Sequence, residues 1–271
     1  MPTMSPLSEF PKSSLKSLEI VLADIDDTLT LHGRLPAIAY EAMERIQAAG
    51  IKMIPITGRP AGWCDHIARM WPVDGIVGEN GALYFQYDAA EKKLIRRFWK
   101  TDAERASDRK KLDVIRAEVL ASVPGAGIAS DQPYREADLA VDFCEDVPAL
   151  SSQAIDDIVA VFDKHGATSK ISSIHVNGWY GAYDKLSMTR KMLDEVFGVE
   201  LDQALETITF LGDSPNDAPM FGHFPLSIGV ANVRELEDRL EYKPVYVTEK
   251  PGGLGFAEFA DMLLLSRGLN A

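Results

Sequence analysis

The sequence predicts an α/β protein built on a parallel sheet, and three observations carry that reading. Short apolar runs alternate with helix-period segments in the first part of the chain, and the same rhythm returns after Asp184. Two carboxylate-rich loops, Asp24-Ile25-Asp26-Asp27-Thr28 and Gly212-Asp213-Ser214-Pro215-Asn216-Asp217, each stand where an apolar run ends. Strand and helix in alternation, joined by right-handed crossovers, give a parallel sheet, and the carboxyl ends of such strands are where these sheets bind ligands.

Taken in order, residues 18–23 read as a strand, 37–49 as a helix, 52–56 as a strand, 63–70 as a helix and 75–77 as a short strand. Gly50 stands where a helix C-cap belongs. The pattern then changes. Residues 82–88 and 93–100 read as an antiparallel hairpin, followed by a charged helix over 102–121, a strand at 139–143, a helix at 150–165 and a strand at 171–176. Antiparallel signals inside a parallel framework mark an inserted α+β unit. From 186–197, a helix stopped by Gly198, the parallel rhythm resumes. It runs through a strand ending at Leu211, a short helix after Pro215, a strand at 226–230, a helix near 233–240, a strand at 245–247 and a final helix near 256–265. The division expected is a polar tail over 1–16, a core of 17–82 and 183–271, and an inserted unit of 83–182.

Composition narrows the function. The chain has 271 residues, 46% hydrophobic and 25% charged, and a formal net charge of -13. That charge argues against nucleic acid and anionic membranes as partners. No apolar stretch reaches the length of a membrane span, and the N-terminus lacks the apolar segment of a signal peptide. Cys64 and Cys144 have no metal-ligand spacing and read as free thiols, so a cytoplasmic location is expected. An acidic protein acting on an anion must concentrate positive charge locally, through a divalent metal and one or two basic side chains.

The two loops supply chemistry of that kind. Asp24 at a strand exit can attack phosphorus as a carboxylate nucleophile, and Asp26 can exchange a proton with the leaving alcohol and the attacking water. Taken alone, Asp-Asp-Thr reads equally well as a turn and cap cluster. Asp213 and Asp217 recur in the same setting, and Ser214, Pro215 and Asn216 between them are helix-capping residues. Neither loop fits a calcium-binding loop, which needs Gly at its sixth position and Glu at its twelfth. As a pair, the loops favour magnesium. Thr57-Gly58-Arg59 closes the second strand, where a hydroxyl and backbone amides can cradle a phosphate, and Lys185 opens a later helix as a point charge.

These four pieces, in this order, resemble the haloacid dehalogenase superfamily. Asp24-Ile25-Asp26-Asp27-Thr28 matches the first motif, Thr57 the second, Lys185 the third, and Gly212-Asp213 with Asn216-Asp217 the fourth. The insertion between the second and third motifs looks like the C2 cap of subfamily IIB. The fold class implied is therefore an α/β, Rossmann-like parallel-sheet core with an inserted α+β C2-type cap. The resemblance implies that Asp24 is the nucleophile and Asp26 the general acid/base, with Thr57 and Lys185 binding the phosphate, Asn80 facing the site and Asn216 ordering the fourth-motif loop; Gly58 and Arg59, beside Thr57, are further phosphate-binding candidates. It implies Mg2+ held by Asp24, the Asp26 backbone carbonyl and Asp213, with Asp217 in support. Leu186 follows Lys185, where many members have glycine.

In such folds the cap recognises the rest of the substrate. Ser173, His175 and Asn177 alternate along one predicted strand and are candidates there, with Arg59, Arg135 and Trp179. Asp138 and Asp142 read as the solvated face of another cap strand. The activity implied is a Mg2+-dependent phosphatase for a small phosphorylated metabolite, a sugar phosphate in particular. A sugar phosphomutase using the same aspartates, and a non-catalytic binding protein retaining the fold, are the alternatives. The oligomeric state is left open.

Overall fold

The computed structural model describes residues 4–269. Its N-terminal stretch is not the polar tail expected over 1–16, of which residues 1–3 lie outside the described residues. A two-residue strand, β1 (Ser5–Pro6), and a short helix, α1 (Lys12–Ser17), precede the first predicted strand. Leu7, Phe10 and Leu15 are buried in the main apolar cluster. Three apolar anchors spaced among Ser, Pro and Lys suffice to dock this segment, and the polar average concealed them.

The parallel framework then begins with β2 (Ile20–Ala23), α2 (Ala37–Ala48), β3 (Lys52–Pro55), α3 (Ala61–Met70) and β4 (Ile76–Gly78). Next come the hairpin strands β5 (Leu83–Asp88) and β6 (Lys93–Phe98). The insertion follows as α4 (Asp102–Ser122), β7 (Gly127–Ile128), β8 (Asp138–Asp142), α5 (Ser152–Lys164), β9 (Thr168–Ile171) and β10 (His175–Trp179). The chain closes with α6 (Lys185–Phe197), β11 (Ile208–Gly212), α7 (Ala218–His223), β12 (Ile228–Gly229), β13 (Tyr246–Val247) and α8 (Gly252–Ser266). The helix expected near 233–240 is a 3-10 segment, Ala231–Arg239.

Six strands form the central sheet in the order β1-β13-β12-β11-β2-β3, every neighbouring pair parallel. Side chains of a strand alternate between faces, and β2 shows it. Val21 and Ala23 pack in the cluster shared with α2 and α8, whereas Ile20 and Leu22 pack with Met188 and Met192 of α6 and Phe221 of α7. Both faces are thus covered, as a parallel sheet requires.

The hairpin forms as predicted, yet it extends the core rather than opening the insertion at residue 83. It pairs with β4, and a bridge from Val77 to Ile56 ties β4 to the end of β3. Leu83 and Phe85 are buried in one core cluster and Tyr84 in the other.

The cap has its own core. Its antiparallel sheet runs β7-β8-β10-β9, and Leu139, Val141 and Val176 pack against Leu112, Ile115 and Val119 of α4 and Ile158 and Phe162 of α5. Thr101 starts α4 with a reciprocal cap: its hydroxyl accepts the Glu104 N–H, and its own N–H donates to the Glu104 carboxylate at 2.8 Å. The strand expected over 171–176 is interrupted at 172–174 by a turn between β9 and β10, in which Ser173 lies. The alternating polar residues that suggested one strand belong to two structures.

Candidate active site

β2 and β11 are neighbours, with Ala23 level with Leu211, so the two acidic loops leave the sheet side by side. From there the chain runs to β3 on one side and to β12 on the other, which makes this the switch point where open α/β sheets bind ligands. The Asp24 N–H donates to the Leu211 carbonyl at 2.9 Å, continuing the ladder by one residue. Beyond it the chain turns sharply. Asp27 takes a positive φ of 53°, and the N–H groups of Thr28, Leu29 and Thr30 converge on the Ile25 carbonyl.

The fourth-motif loop is folded by its own aspartate. Asp217 Oδ2 accepts the N–H groups of Asp213 at 3.0 Å and Ser214 at 3.2 Å, while the Ser214 hydroxyl donates to Asn216 Oδ1 at 2.7 Å. Lys185 arrives at the first position of α6 because Asp184 caps that helix, accepting the Ser187 N–H at 2.7 Å. Gly81, at φ +105°, lets the chain pass there: a Cβ would lie 2.0 Å from the Asp184 carbonyl oxygen.

The result is a buried ionic cluster. Lys185 Nζ donates to Asp24 Oδ1 at 2.6 Å and to Asp217 Oδ1 at 2.7 Å, and its side chain is 1% exposed. Oxygens of Asp24, Asp213 and Asp217 lie within 4.8 Å of one another. Three carboxylates against one ammonium leave the cluster two positive charges short when all are ionised, and an oxygen-only donor set of that charge fits a hard divalent cation. Both Asp217 oxygens are engaged within the protein, so the side chains best placed to hold a divalent cation are Asp24 and Asp213. Asp26 stands apart: its carboxylate turns to Arg59.

Asn232, which the sequence analysis missed, orients Asp213. Its Nδ2 donates to Asp213 Oδ2 and to the Asp27 carbonyl, each at 3.0 Å, and its Oδ1 accepts the Gly252 N–H. Such outer contacts fix ligand geometry. The only sequence signal for Asn232 is its place just past the exit of β12. Thr28 completes the set, its hydroxyl donating to Asp213 Oδ1 at 3.3 Å.

At the second motif, Thr57 is fully buried and its Oγ1 accepts the Arg59 N–H at 3.0 Å. Asn80, at φ 52°, donates its backbone N–H to the Thr57 carbonyl and accepts from Asn216 Nδ2 at 3.1 Å. Its own Nδ2 is buried with no partner and lies so close to Gly58 that a Cβ there would meet it at 3.1 Å. An unpaired buried donor suits an anionic oxygen.

Arg59 is not free for phosphate in this arrangement. Its Nε lies 2.9 Å and 3.0 Å from the two Asp26 oxygens, and its Nη2 donates to Asp26 at 2.8 Å and to Glu145 at 2.7 Å. Nη1 lies 3.3 Å from Asp131. Asp131 and Glu145 belong to the cap, so one core arginine joins the cap to Asp26. Burial alone would raise the Glu145 carboxyl, but hydrogen bonds from His175 and Arg59 hold it down to about 2. His175 Nε2 lies 2.9 Å from Glu145.

Further in, Arg135 donates to the Gly58 carbonyl at 2.9 Å and pairs with Asp131 and Asp138. Asn177 donates to Asp138 at 3.0 Å. Asp138 and Asp142 are therefore not a solvated face. Both are buried, and Asp142 accepts the N–H groups of Cys144, Glu145 and Asp146. Trp179 packs on Tyr183 and donates to its carbonyl, apart from the site.

Burial pushes the Asp24 carboxyl up to about 8, against the pull of Lys185 and with Asp217 and Asp26 adding to the rise. Glu79, which accepts the Ala61, Glu136 and Ala137 N–H groups across the cap junction, is raised to about 7, chiefly by burial. Asp213 stands well above its usual range, through burial and then the charge of Asp24. A carboxyl raised on folding binds more protons folded than unfolded, so stability is lost as pH rises through that interval. His223, lowered by burial, opposes this, but it is one partly exposed ring against three buried carboxyls. In chelator, the melting temperature is expected to be higher at about pH 6 than at about pH 8, and Mg2+ should raise the value at the upper pH by binding the folded state. A melting temperature that climbs between those pH values in chelator would contradict the assignment.

Fold and site together define a capped α/β protein with a buried acidic cluster at the switch point of its parallel sheet. The family model described as haloacid dehalogenase-like hydrolase matches residues 21–111. No curated protein sequence matches the chain. Among solved structures, protein 0175 of Thermoplasma acidophilum superposes with a TM-score of 0.67 at 17% identity, covering 91% of this chain and 98% of that one. The sucrose-phosphatase of Synechocystis sp. PCC6803 gives 0.62 at 14% identity, covering 92% and 98%. The C-terminal domain of trehalose-6-phosphate phosphatase from C. albicans gives 0.68 at 13% identity, covering 99% of each chain. At these identities the likeness is one of fold. Among the described residues no helix is long and apolar enough to cross a membrane.

Proposed function

We propose that the protein is a Mg2+-dependent phosphatase acting on a small phosphorylated metabolite, a sugar phosphate in particular, through an aspartyl-phosphate on Asp24. The observation that carries this reading is the placement of Lys185 Nζ between Asp24 Oδ1 and Asp217 Oδ1 at 2.6 Å and 2.7 Å, with Asp213 in the same cluster. This orients a buried carboxylate at a strand exit and leaves room in its coordination for a metal.

In the first step an Asp24 oxygen forms a bond to phosphorus as the ester P–O bond breaks, and the leaving oxygen takes a proton from Asp26. In the second, water gives a proton back to Asp26 and attacks phosphorus, releasing phosphate and restoring Asp24. Asp24 and Asp213, with the Asp26 carbonyl, would hold Mg2+, which would supply positive charge against the phosphoryl oxygens. Lys185, the Thr57 hydroxyl and Asn80 Nδ2 are the protein groups assigned to that phosphoryl group, with Asn216 holding Asn80. Arg59 holds Asp26 as an acceptor, the state that takes the water's proton, and must loosen for Asp26 to carry a proton to the leaving group. His175 and Asn177 act through Glu145 and Asp138 as positioning residues. The two cysteines, Cys64 in the core cluster and Cys144 in the cap, fit a cytoplasmic setting. The net charge of -13 fits a small-molecule substrate rather than nucleic acid.

The test is phosphate release from a panel of sugar phosphates, with Mg2+ and with chelator. Release that requires Mg2+ and discriminates among the esters is expected. No release from any ester with Mg2+ present would contradict the phosphatase reading.

A further inference from the structure

The space enclosed between the motif loops and the cap is only about 10 Å³, roughly what one water needs. No leaving group fits there in this closed arrangement. A cleft of about 450 Å³ adjoins it, with Asp26 and Arg59 on its wall, within the range of small-molecule sites.

The remainder of that cleft is aromatic and aliphatic. Trp63 comes from α3, Trp71 from just beyond that helix and Tyr134 from the cap, over a floor that includes Ile67. Trp63 is 41% exposed and Tyr134 59%, so two large rings present open surface to one cleft. The Arg59 guanidinium lies 4.4 Å from the Trp63 ring centroid, which joins the ionic end of the cleft to its aromatic wall. Cap and core meet tightly at this point: a Cβ on Gly62 would lie 2.9 Å from the Tyr134 Cβ. The cleft is therefore completed only when the cap is docked.

We infer that this cleft is the leaving-group subsite, and that the substrate is a phosphate monoester whose leaving group carries a flat apolar ring. This rests on the phosphatase reading above, because a general acid must reach the leaving oxygen and Asp26 lines the cleft. The charged end receives the ester, and the ring lies against Trp63 with Tyr134 closing over it, the contact that aromatic faces favour. A sugar phosphate qualifies if it bears such a ring. The ring is held and not transformed, so the bond changes are those of the hydrolysis already described.

The experiment compares 2-phenylethyl phosphate with ethyl phosphate, which have alkyl leaving groups of similar reactivity, on the full chain with Mg2+. Trp63→Ala is expected to raise KM for the phenylethyl ester about tenfold, with little change in kcat and a much smaller effect on the ethyl ester. Trp63→Phe should restore most of the loss. Tyr134→Ala, at an exposed cap position, gives the same selective effect if Trp63→Ala does not fold. Equal losses for both esters, or no loss for either, would overturn the inference. If the wild type hydrolyses neither ester, calorimetric binding of the same pair decides. Tighter binding of the phenylethyl ester, lost in Trp63→Ala, keeps the subsite while the phosphatase reading falls, and equal binding of the two esters removes the subsite.

Discussion

Asp24→Asn is expected to lower phosphate release by on the order of 10⁴-fold or more while leaving the fold intact. An amide is too weak a nucleophile to form the acyl-phosphate, and none of the neighbouring aspartates can replace it: Asp213 is held by Thr28 and Asn232. Asp217 has both oxygens engaged by Lys185 and by two loop N–H groups, and Asp26 is turned to Arg59. The fold should tolerate the change, because asparagine keeps the shape and still offers Lys185 an acceptor. It also removes one of three clustered negative charges, on a carboxyl that burial raises to about 8. Melting in chelator should therefore be unchanged or slightly higher at about pH 8. Phosphate release within about 100-fold of wild type, in protein free of contaminating phosphatase, would remove Asp24 from the nucleophile role.

Lys185→Ala is expected to cost about 3–5 kcal/mol of stability in chelator, the usual cost of breaking a buried ion pair from one side. The ammonium is 1% exposed and donates to two carboxylates that are themselves nearly inaccessible. Its removal leaves Asp24 and Asp217 facing each other without a counter-charge, and the fourth-motif loop loses one of the contacts that orient Asp217. Mg2+ should recover part of the lost stability, because it supplies positive charge to the same carboxylates. Chemical denaturation of wild type and variant, each with chelator and with Mg2+, measures both effects. A loss below about 1 kcal/mol in chelator would show that the pair is no more than a solvated contact.

The acidic cluster with its lysine was legible in the sequence because each of its parts is a local event. A carboxylate at a strand exit is recognisable from the apolar run before it, and Lys185 from the helix it opens. What the sequence hid depends on contacts between distant segments. Asn232 reaches Asp213 from the loop after the neighbouring strand β12. Glu145 and Asp131 matter because the cap brings them to Arg59, which read as a phosphate ligand until three carboxylates were found around it. Asp138 and Asp142 alternate with apolar residues as solvated positions do, yet the docked cap buries them against Arg135 and a row of loop N–H groups. The N-terminal segment shows the same limit: its mean polarity masked Leu7, Phe10 and Leu15, and burial depends on where single apolar side chains land.

The closed cap has a consequence for turnover. Arg135 to Gly58, Glu79 to Glu136 and Ala137, and Arg59 to Glu145 all cross between core and cap, while the space over the nucleophile is near that of a single water. Under the phosphatase reading, substrate enters with the cap displaced, and re-docking restores Asp131 and Glu145 to Arg59 and Tyr134 to the cleft.

Mass spectrometry of the protein quenched in acid during turnover with Mg2+ shows whether Asp24 becomes phosphorylated. One added phosphoryl group is expected on the peptide containing Asp24, absent from Asp24→Asn and from samples incubated with chelator in place of Mg2+ before the acid quench. Turnover proceeding at a full rate with the phosphoryl group on another residue would contradict the assignment of Asp24 as nucleophile.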